Sequence, residues 1–140
     1  MAAKIGSLIY ALLLVACACF AGLEIFGFAF AIGDGGGTIG LGMGIFFIAT
    51  LAGAIGLVAT AGGSWTRSRT VSRISCASAV LVLPAAGLYG WQDVVAMWHN
   101  SQIGYHYGPF HWASALLPVP FDLAALLFSG LRLRRSKEKG

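Results

Sequence analysis

Charged residues are scarce in this sequence. Lys, Arg, Asp and Glu together make up 10% of its 140 residues, whereas hydrophobic residues make up 58%. Soluble globular domains are about one-quarter charged, and a water-soluble core cannot use so much apolar surface. The composition therefore excludes an ordinary soluble domain and predicts that lipid surrounds most of the chain.

Acidic residues are fewer than basic ones, with 5 Asp and Glu against 9 Lys and Arg. A basic protein can bind nucleic acid, but here the basic residues form three short clusters between long apolar runs. That distribution is typical of membrane topology rather than of a nucleic-acid-binding surface. We therefore expect lipid contact and no nucleic-acid partner.

The 3 cysteines form no metal or redox motif. Cys17 and Cys19 lie two positions apart, so a helix would point them to different faces, and Cys76 is distant in sequence. We interpret all three as small packing residues. The stretch Leu14-Val15-Ala16-Cys17 also resembles a bacterial lipoprotein cleavage box. Because the apolar run continues well beyond that box, we favour an uncut first span.

Four long apolar runs cover most of the chain, at about residues 5–32, 39–61, 74–97 and 113–131. Each holds roughly the 20 residues that a helix needs to cross a hydrocarbon core of ~30 Å. In lipid the backbone must satisfy its own hydrogen bonds, so the runs should be helices. The sequence predicts an all-α membrane protein, with residues 1–140 forming a single bundle of four transmembrane helices.

The basic residues predict the orientation of these spans. All 9 Lys and Arg lie before span one, between spans two and three, or after span four, and none lies in the connections 33–38 and 99–112. The positive-inside rule then places both termini in the cytoplasm. Aromatic residues, which favour membrane interfaces, agree with this orientation. Those expected at the outer interface are Tyr89, Trp91, Trp98, Tyr105, Tyr107 and Trp112, with Trp65 at the inner one.

Glycine is abundant, with 20 residues, and several glycines repeat at helical spacing around span two. The run Gly35-x-Gly37-x-x-Gly40 matches a dinucleotide-binding fingerprint in its letters, but no strand precedes it. Small residues four apart instead let membrane helices approach closely. We therefore predict that span two packs against its own bundle or a second subunit. The predicted packing positions are Gly36, Gly40, Gly44, Gly53 and Gly56.

A second group of polar and aromatic residues is expected at the outer face. Imidazoles and carboxylates can bind metals, but these histidines fall at irregular spacing in a predicted loop. We predict interfacial hydrogen bonding, and neither haem nor metal nor any other cofactor. The residues of this predicted outer-face cluster are Glu24, Asp93, Trp98, His99, His106, His111 and Trp112.

Asp122 stands apart from the other acids because it lies nine residues into span four. A carboxylate near the bilayer centre costs about 2.5–3.5 kcal/mol on insertion scales, and no Lys or Arg lies at that depth in this sequence. We expect it to be protonated, or bonded to a hydroxyl, an amide or another subunit, with Thr50 as the best candidate. Pro118 and Pro120 precede it and should kink the helix, which makes this an intramembrane functional candidate.

The last third of the chain resembles the small membrane subunit of tripartite ATP-independent periplasmic (TRAP) transporters. The resemblance rests on Trp112-Ala113-Ser114-Ala115-Leu116-Leu117-Pro118-Val119, on the aromatic-rich connection before it and on the basic tail after it. It extends over residues 88–135. The resemblance implies four spans with both termini inside, and a large partner subunit that moves an organic acid with sodium or protons.

The chain shows no nucleophile–base pair and no soluble domain. We therefore predict a non-enzymatic accessory subunit of a larger complex in a bacterial inner membrane, with a solute transporter as the expected complex. The expected partner is a larger integral membrane subunit, or a second copy through span two. Two alternatives remain open. One is a small subunit of a membrane oxidoreductase, with a quinone or metal near the outer His and Trp residues. The other is a small self-assembling transporter that uses Asp122.

Overall fold

The computed structural model describes residues 1–33, 41–66 and 68–138. Every regular element within those ranges is a helix, as the sequence predicted. The helices are α1 (Ala2–Gly33), α2 (Leu41–Gly63), α3 (Arg69–Gln102), α4 (Pro109–Leu116) and α5 (Pro118–Glu138), with a 3₁₀ turn at Ser64–Thr66.

Four stretches of these helices are long and apolar enough to cross a membrane: Ala2–Gly27, Gly44–Gly63, Arg69–Gln102 and Pro109–Glu138. The prediction of four transmembrane helices is confirmed, and the chain is a multi-pass membrane protein. The fourth span combines α4 and α5, which are separated only by Leu117.

The third and fourth spans are longer than the sequence predicted. Helix α3 covers residues 69–102 rather than 74–97, and α4 begins at Pro109, inside the stretch predicted to be a loop. Pro109 fits the first helical position because its missing N–H would have no partner there. The turn between the two helices uses Gly104 at φ 91°, a backbone conformation that glycine adopts without steric cost.

The helices form a ring in which α1 packs on α2, α2 on α3, α3 on α5, and α5 back on α1. Consecutive spans are antiparallel, so the bundle runs up, down, up and down. We name the end with the 3₁₀ turn and the last turns of α5 the inner end. The outer end carries the α3–α4 connection. The names follow the predicted orientation.

Buried positions in each helix recur at spacings of three and four residues, which is the pattern of a coiled-coil seam. Most of them are small or carry a hydroxyl, while large aliphatic side chains point outward. In lipid, apolar residues gain little by leaving the surface, so close approach and polar contacts hold the helices together. The seam includes Ser7, Tyr10, Leu14, Cys17 and Ala21 of α1, Thr50, Gly53, Leu57 and Thr60 of α2, Ser75, Ala79, Val82 and Ala86 of α3, and Asp122, Ala125 and Ser129 of α5.

Two of the predicted packing glycines contact α3. A Cβ added at Gly53 would lie 2.6 Å from Val82 Cγ1 and 2.9 Å from the Ser78 carbonyl oxygen, and one at Gly56 would overlap the Ser78 hydroxyl. Among the described residues, a Cβ added at Gly44 would meet nothing within 4 Å, so packing of this glycine against a second subunit stays a prediction.

Two more of the predicted packing glycines, Gly36 and Gly40, lie outside the described residues. A contact that the sequence did not predict occurs at Gly90 of α3. A Cβ there would lie 2.8 Å from the carbonyl oxygen of Ala115. This glycine allows α3 and α4 to pack closely just before the break that separates α4 from α5.

Candidate functional site

Helices α1 and α5 meet at two polar levels. The Tyr10 hydroxyl lies 2.7 Å from the Ser129 hydroxyl. Seven residues further toward the outer end, the Cys17 thiol faces the Asp122 carboxyl; a thiol is at best a weak hydrogen-bond donor. Seven residues make about two helical turns, so both levels lie on the same face of each helix.

Asp122 is buried inside the bundle, with 2% of its surface exposed. Its Oδ1 atom has no hydrogen-bond partner among the described residues. The prediction that Thr50 supplies one is wrong, because the Thr50 hydroxyl donates to the carbonyl oxygen of Phe46, 2.7 Å away. A threonine hydroxyl in a helix readily bonds the carbonyl one turn earlier, and among the described residues the neighbouring polar group is the Cys17 thiol.

The helix is interrupted just before Asp122, as the two prolines predicted. Helix α4 ends at Leu116 and α5 begins at Pro118. The Leu117 N–H still donates to the Ala113 carbonyl at 2.9 Å, but Pro118 and Pro120 have no N–H to donate. Pro118 itself is buried and Pro120 is exposed. The acid is therefore the fifth residue of α5, about one turn past a break in the backbone ladder.

Glu24 extends this arrangement toward the outer end. It lies seven residues beyond Cys17 on α1, so it occupies the same helix face. Its side chain is half-buried, and its Oε2 atom is buried without a hydrogen-bond partner among the described residues. The carboxyl group lies within electrostatic range of both Asp122 and Asp93.

Asp93 completes a series of three carboxyl groups that we call the acidic line: Asp93, Glu24 and Asp122. Asp93 is exposed on α3, and Tyr89, one turn earlier, lies within electrostatic range of Asp93 and Glu24. The first basic residue of α5 is Arg132, ten residues past Asp122 and about 15 Å away along the helix axis. The acidic line thus runs from the outer end to the bundle centre without a neighbouring cation in the described spans.

The other members of the predicted outer-face cluster do not join these acids. Trp98, His99, His106 and His111 are all exposed, and Trp112 is half-buried. The histidines also do not share one loop, as the sequence had suggested, because His99 lies in α3 and His111 in α4. Longer helices than predicted cause this difference.

Aromatic contacts occupy this outer surface instead. The His111 ring packs edge-on against Tyr107, with 5.6 Å between ring centroids. Asn100 Nδ2 donates to the Tyr107 hydroxyl at 2.6 Å. Among the residues that the structure describes, no three His, Cys, Asp or Glu side chains lie close enough together to hold a metal ion.

The inner half of the bundle holds a set of hydrogen-bonded polar side chains that the sequence did not predict. The Tyr10 hydroxyl lies 2.5 Å from the Ser75 hydroxyl and 2.7 Å from that of Ser129, and the two serines are 3.0 Å apart. All three residues are buried. The only sequence signal was that Tyr10, Ser75 and Ser129 each occupy a seam position among apolar neighbours.

Arg132 covers this group at the inner end. Its Nη1 donates to the Ser64 carbonyl at 2.8 Å, its Nη2 donates to the Ser7 hydroxyl at 3.2 Å, and its guanidinium lies 4.1 Å from the centre of the Tyr10 ring. An arginine over an aromatic face gains a cation–π attraction. We call Tyr10, Ser75, Ser129 and Arg132 the inner polar cluster. With Ser64, which follows α2, its contacts join all four spans.

An apolar layer separates the inner polar cluster from Asp122. It consists of Leu14, Leu57, Ala79 and Ala125, whose exposed fractions are 0%, 0%, 1% and 0%. Leu14 lies between Tyr10 and Cys17 on α1, Ala125 lies between Asp122 and Ser129 on α5, and all four residues belong to one buried cluster. The centre of the bundle therefore changes from satisfied polar groups, through hydrocarbon, to an acid with a free oxygen.

Comparisons with protein-family models, with curated proteins and with solved structures find no match to this chain.

Proposed function

We propose that this chain is a non-catalytic subunit of a membrane transport complex, in which Asp122 binds and releases a proton or a monovalent cation. One observation carries the proposal. The Asp122 side chain is 2% exposed, and its Oδ1 atom has no partner among the described residues. Buried polar atoms in folded proteins are hydrogen-bonded in the great majority, so each exception calls for an explanation.

A structural role does not explain this acid. A polar residue that serves packing is expected to be satisfied, as the hydroxyls of the inner polar cluster are. An acid near the bilayer centre costs about 2.5–3.5 kcal/mol on insertion scales, and a weak thiol donor recovers little of that cost. Intramembrane acids of this kind are found on ion pathways and proton relays.

The transport complex and its location come from the sequence. The resemblance to TRAP small subunits, which covers residues 88–135, implies a large partner subunit that transports an organic acid. The distribution of Lys and Arg fits a bacterial inner membrane with both termini in the cytoplasm. The self-assembling alternative would use the same acid without a partner.

Uptake in cells tests this function. A strain lacking the chain is complemented with the parent, Asp122→Asn or Asp122→Leu, and uptake of a panel of radiolabelled organic acids is compared. We expect the parent to restore uptake of at least one acid. Asp122→Asn should reach the membrane in equal amount yet leave uptake at the level of the deletion strain, because an amide cannot ionise.

Glu138→Gln is the matched control. Its carboxyl is exposed near the end of α5 and pairs with Arg134 at 3.7 Å, so uptake should equal that of the parent. The proposed function is wrong if deletion of the chain lowers the uptake of no acid in the panel, or if Asp122→Asn transports as well as the parent. Transport by the purified chain alone in vesicles would favour the self-assembling alternative.

A further inference from the structure

We propose that Glu24, with Asp93 at its entrance, forms the route by which a proton from the outer end reaches Asp122, and that the apolar layer closes the site toward the inner end. The inference rests on the proposed function only in taking Asp122 as the proton-binding group. It assigns a role to Glu24 that the sequence pattern did not indicate.

The position of Glu24 carries the first step. It occupies the same face of α1 as Cys17, which contacts Asp122, and lies about 10 Å further along the helix axis. Its Oε2 atom is buried and unpartnered among the described residues. Two unpartnered carboxyl oxygens therefore lie in succession toward the outer end, one on α5 and one on α1. In lipid each such atom is costly unless it finds a partner.

Asp93 carries the second step. It is exposed at the outer end and lies within electrostatic range of Glu24, as does Tyr89. Carboxylates at an entrance raise the local concentration of cations, including protons. A proton taken from outer water converts the Glu24 carboxylate to the acid. Its release to Asp122, through side-chain rotation or intervening water, regenerates that carboxylate.

The inner end is closed by two features. The apolar layer has no polar side chain, and its four residues are almost completely buried. Beyond it, Tyr10, Ser75 and Ser129 already bond one another, and the Arg132 guanidinium repels an entering cation. A proton leaving Asp122 on that side would meet hydrocarbon and then a positive charge.

Few other titratable groups face the site. The thiol of Cys17 and the carboxyl of Glu24 approach from α1, and Tyr89 and Asp93 belong to α3. Helix α2 contributes no titratable side chain, and Arg132 is the first basic group on α5 itself. If the proposed route is correct, the protonation of Asp122 therefore responds to outer pH through Glu24.

Labelling with dicyclohexylcarbodiimide tests the route. This apolar reagent dissolves in lipid and modifies only protonated carboxyl groups. The acid adds its proton and its oxygen across a C=N bond, and rearrangement gives a stable N-acylurea with no leaving group. Peptide mass spectrometry then reports the labelled fraction of Asp122. Full-length protein is placed in vesicles of known orientation, with outer and inner pH clamped independently.

In the parent, we expect labelling of Asp122 to fall when the outer pH is raised at constant inner pH, and to stay constant in the reverse experiment. Glu24→Gln should abolish the response to outer pH. The matched control Glu138→Gln should respond as the parent does. Because neither carboxyl position is needed for packing, all three proteins should be recovered in similar amounts.

Three results would overturn the route: labelling that follows inner pH, a response to outer pH that survives Glu24→Gln, or no labelling of Asp122 at any pH. Failure of the proposed function is a different result. Suppose that Asp122→Asn transports normally, but that labelling of Asp122 in the parent falls as outer pH rises and Glu24→Gln abolishes this response. The route then stands and the proposed function fails. If Asp122→Asn loses transport while labelling of Asp122 follows inner pH, the proposed function stands and the proposed route fails.

Discussion

The inner and outer halves of the bundle treat buried polar groups in opposite ways. In the inner half, the hydroxyls of Tyr10, Ser75 and Ser129 bond one another, and Arg132 bonds Ser7 of α1 and the Ser64 carbonyl after α2. In the outer half, Asp122 and Glu24 each keep a buried oxygen without a partner in the described structure. One continuous seam thus has satisfied polar side chains at its inner end and carboxyl groups with unpartnered oxygens at its outer end.

Under the proposed function, this difference places stability in the inner half of the bundle and activity in the outer half. Each polar contact between membrane helices stabilises a bundle by about 0.6 kcal/mol on average, and by at most about 1.7 kcal/mol. Unpartnered buried acids destabilise it. Substitutions in the inner half should therefore lower stability, whereas substitutions of the acids should change activity and leave stability unchanged or improved.

The largest expected effect concerns the orientation of the two halves in the membrane, where accessibility to a thiol reagent should be all or none. In a cysteine-free background, a membrane-impermeant thiol reagent added outside should label His106→Cys fully. It should not label Ser68→Cys or Ser136→Cys until the membrane is opened, because the basic clusters keep those ends inside. Peptide mass spectrometry gives the labelled fraction. Labelling of Ser68→Cys in intact cells would mean that the acidic line opens to the cytoplasm.

Gly56→Leu tests the close contact of α2 with α3 that both halves share. The added side chain would overlap the Ser78 hydroxyl, and overpacking of this kind costs about 1–3 kcal/mol or more. We expect a large loss of folded protein, measured by unfolding in mixed detergent micelles. Gly44→Leu is the matched control on the same helix, where space is open. Equal losses in the two variants would show that the α2–α3 contact is not the sensitive one.

Arg132→Met should give the next largest loss. It removes two charge-assisted hydrogen bonds and the cation–π contact while keeping an aliphatic stem. Hydrogen bonds to charged groups contribute about 1.5–3 kcal/mol, so we expect the free energy of unfolding to fall by about 2 kcal/mol. Arg135→Met, at an exposed position on the same helix, should change it little. A negligible effect of Arg132→Met would contradict a structural role for the inner polar cluster.

Tyr10→Phe removes a single hydroxyl from the inner polar cluster and keeps the ring under Arg132. Since Ser75 and Ser129 can still bond each other across 3.0 Å, the loss should be about 1 kcal/mol. The same micelle assay measures it. Tyr105→Phe is the control, because that tyrosine is 62% exposed and should show no change.

Asp122→Asn should have the smallest effect on stability, within about 0.5 kcal/mol of the parent, because replacing an already unsatisfied polar group loses little. Asp122→Leu should be as stable as the parent or more stable, since apolar replacements of buried charged groups often are. A loss of more than about 2 kcal/mol in both variants would place Asp122 with the satisfied inner groups. The comparison between the two halves would then fail.

Local features of the sequence predicted some of these results and missed others. The break before Asp122 followed from Pro118 and Pro120, because a missing N–H acts wherever the residue lies. The glycines of α2 show the limit of such reasoning. Spacing identifies Gly44, Gly53 and Gly56 as candidates for a helix contact, but only the packing of α2 on α3 decides which of them the contact includes.

The sequence by itself determined the number and approximate position of the membrane spans and the burial of Asp122. These properties depend on transfer of each residue into lipid, which sums along the chain without knowledge of its neighbours. The tertiary structure alone decided that Cys17 rather than Thr50 faces Asp122, that Glu24 continues the same line, and that Tyr10 meets Ser75 and Ser129. Those pairs depend on the register between antiparallel helices, and a shift of one residue on either helix would turn the partners away from each other.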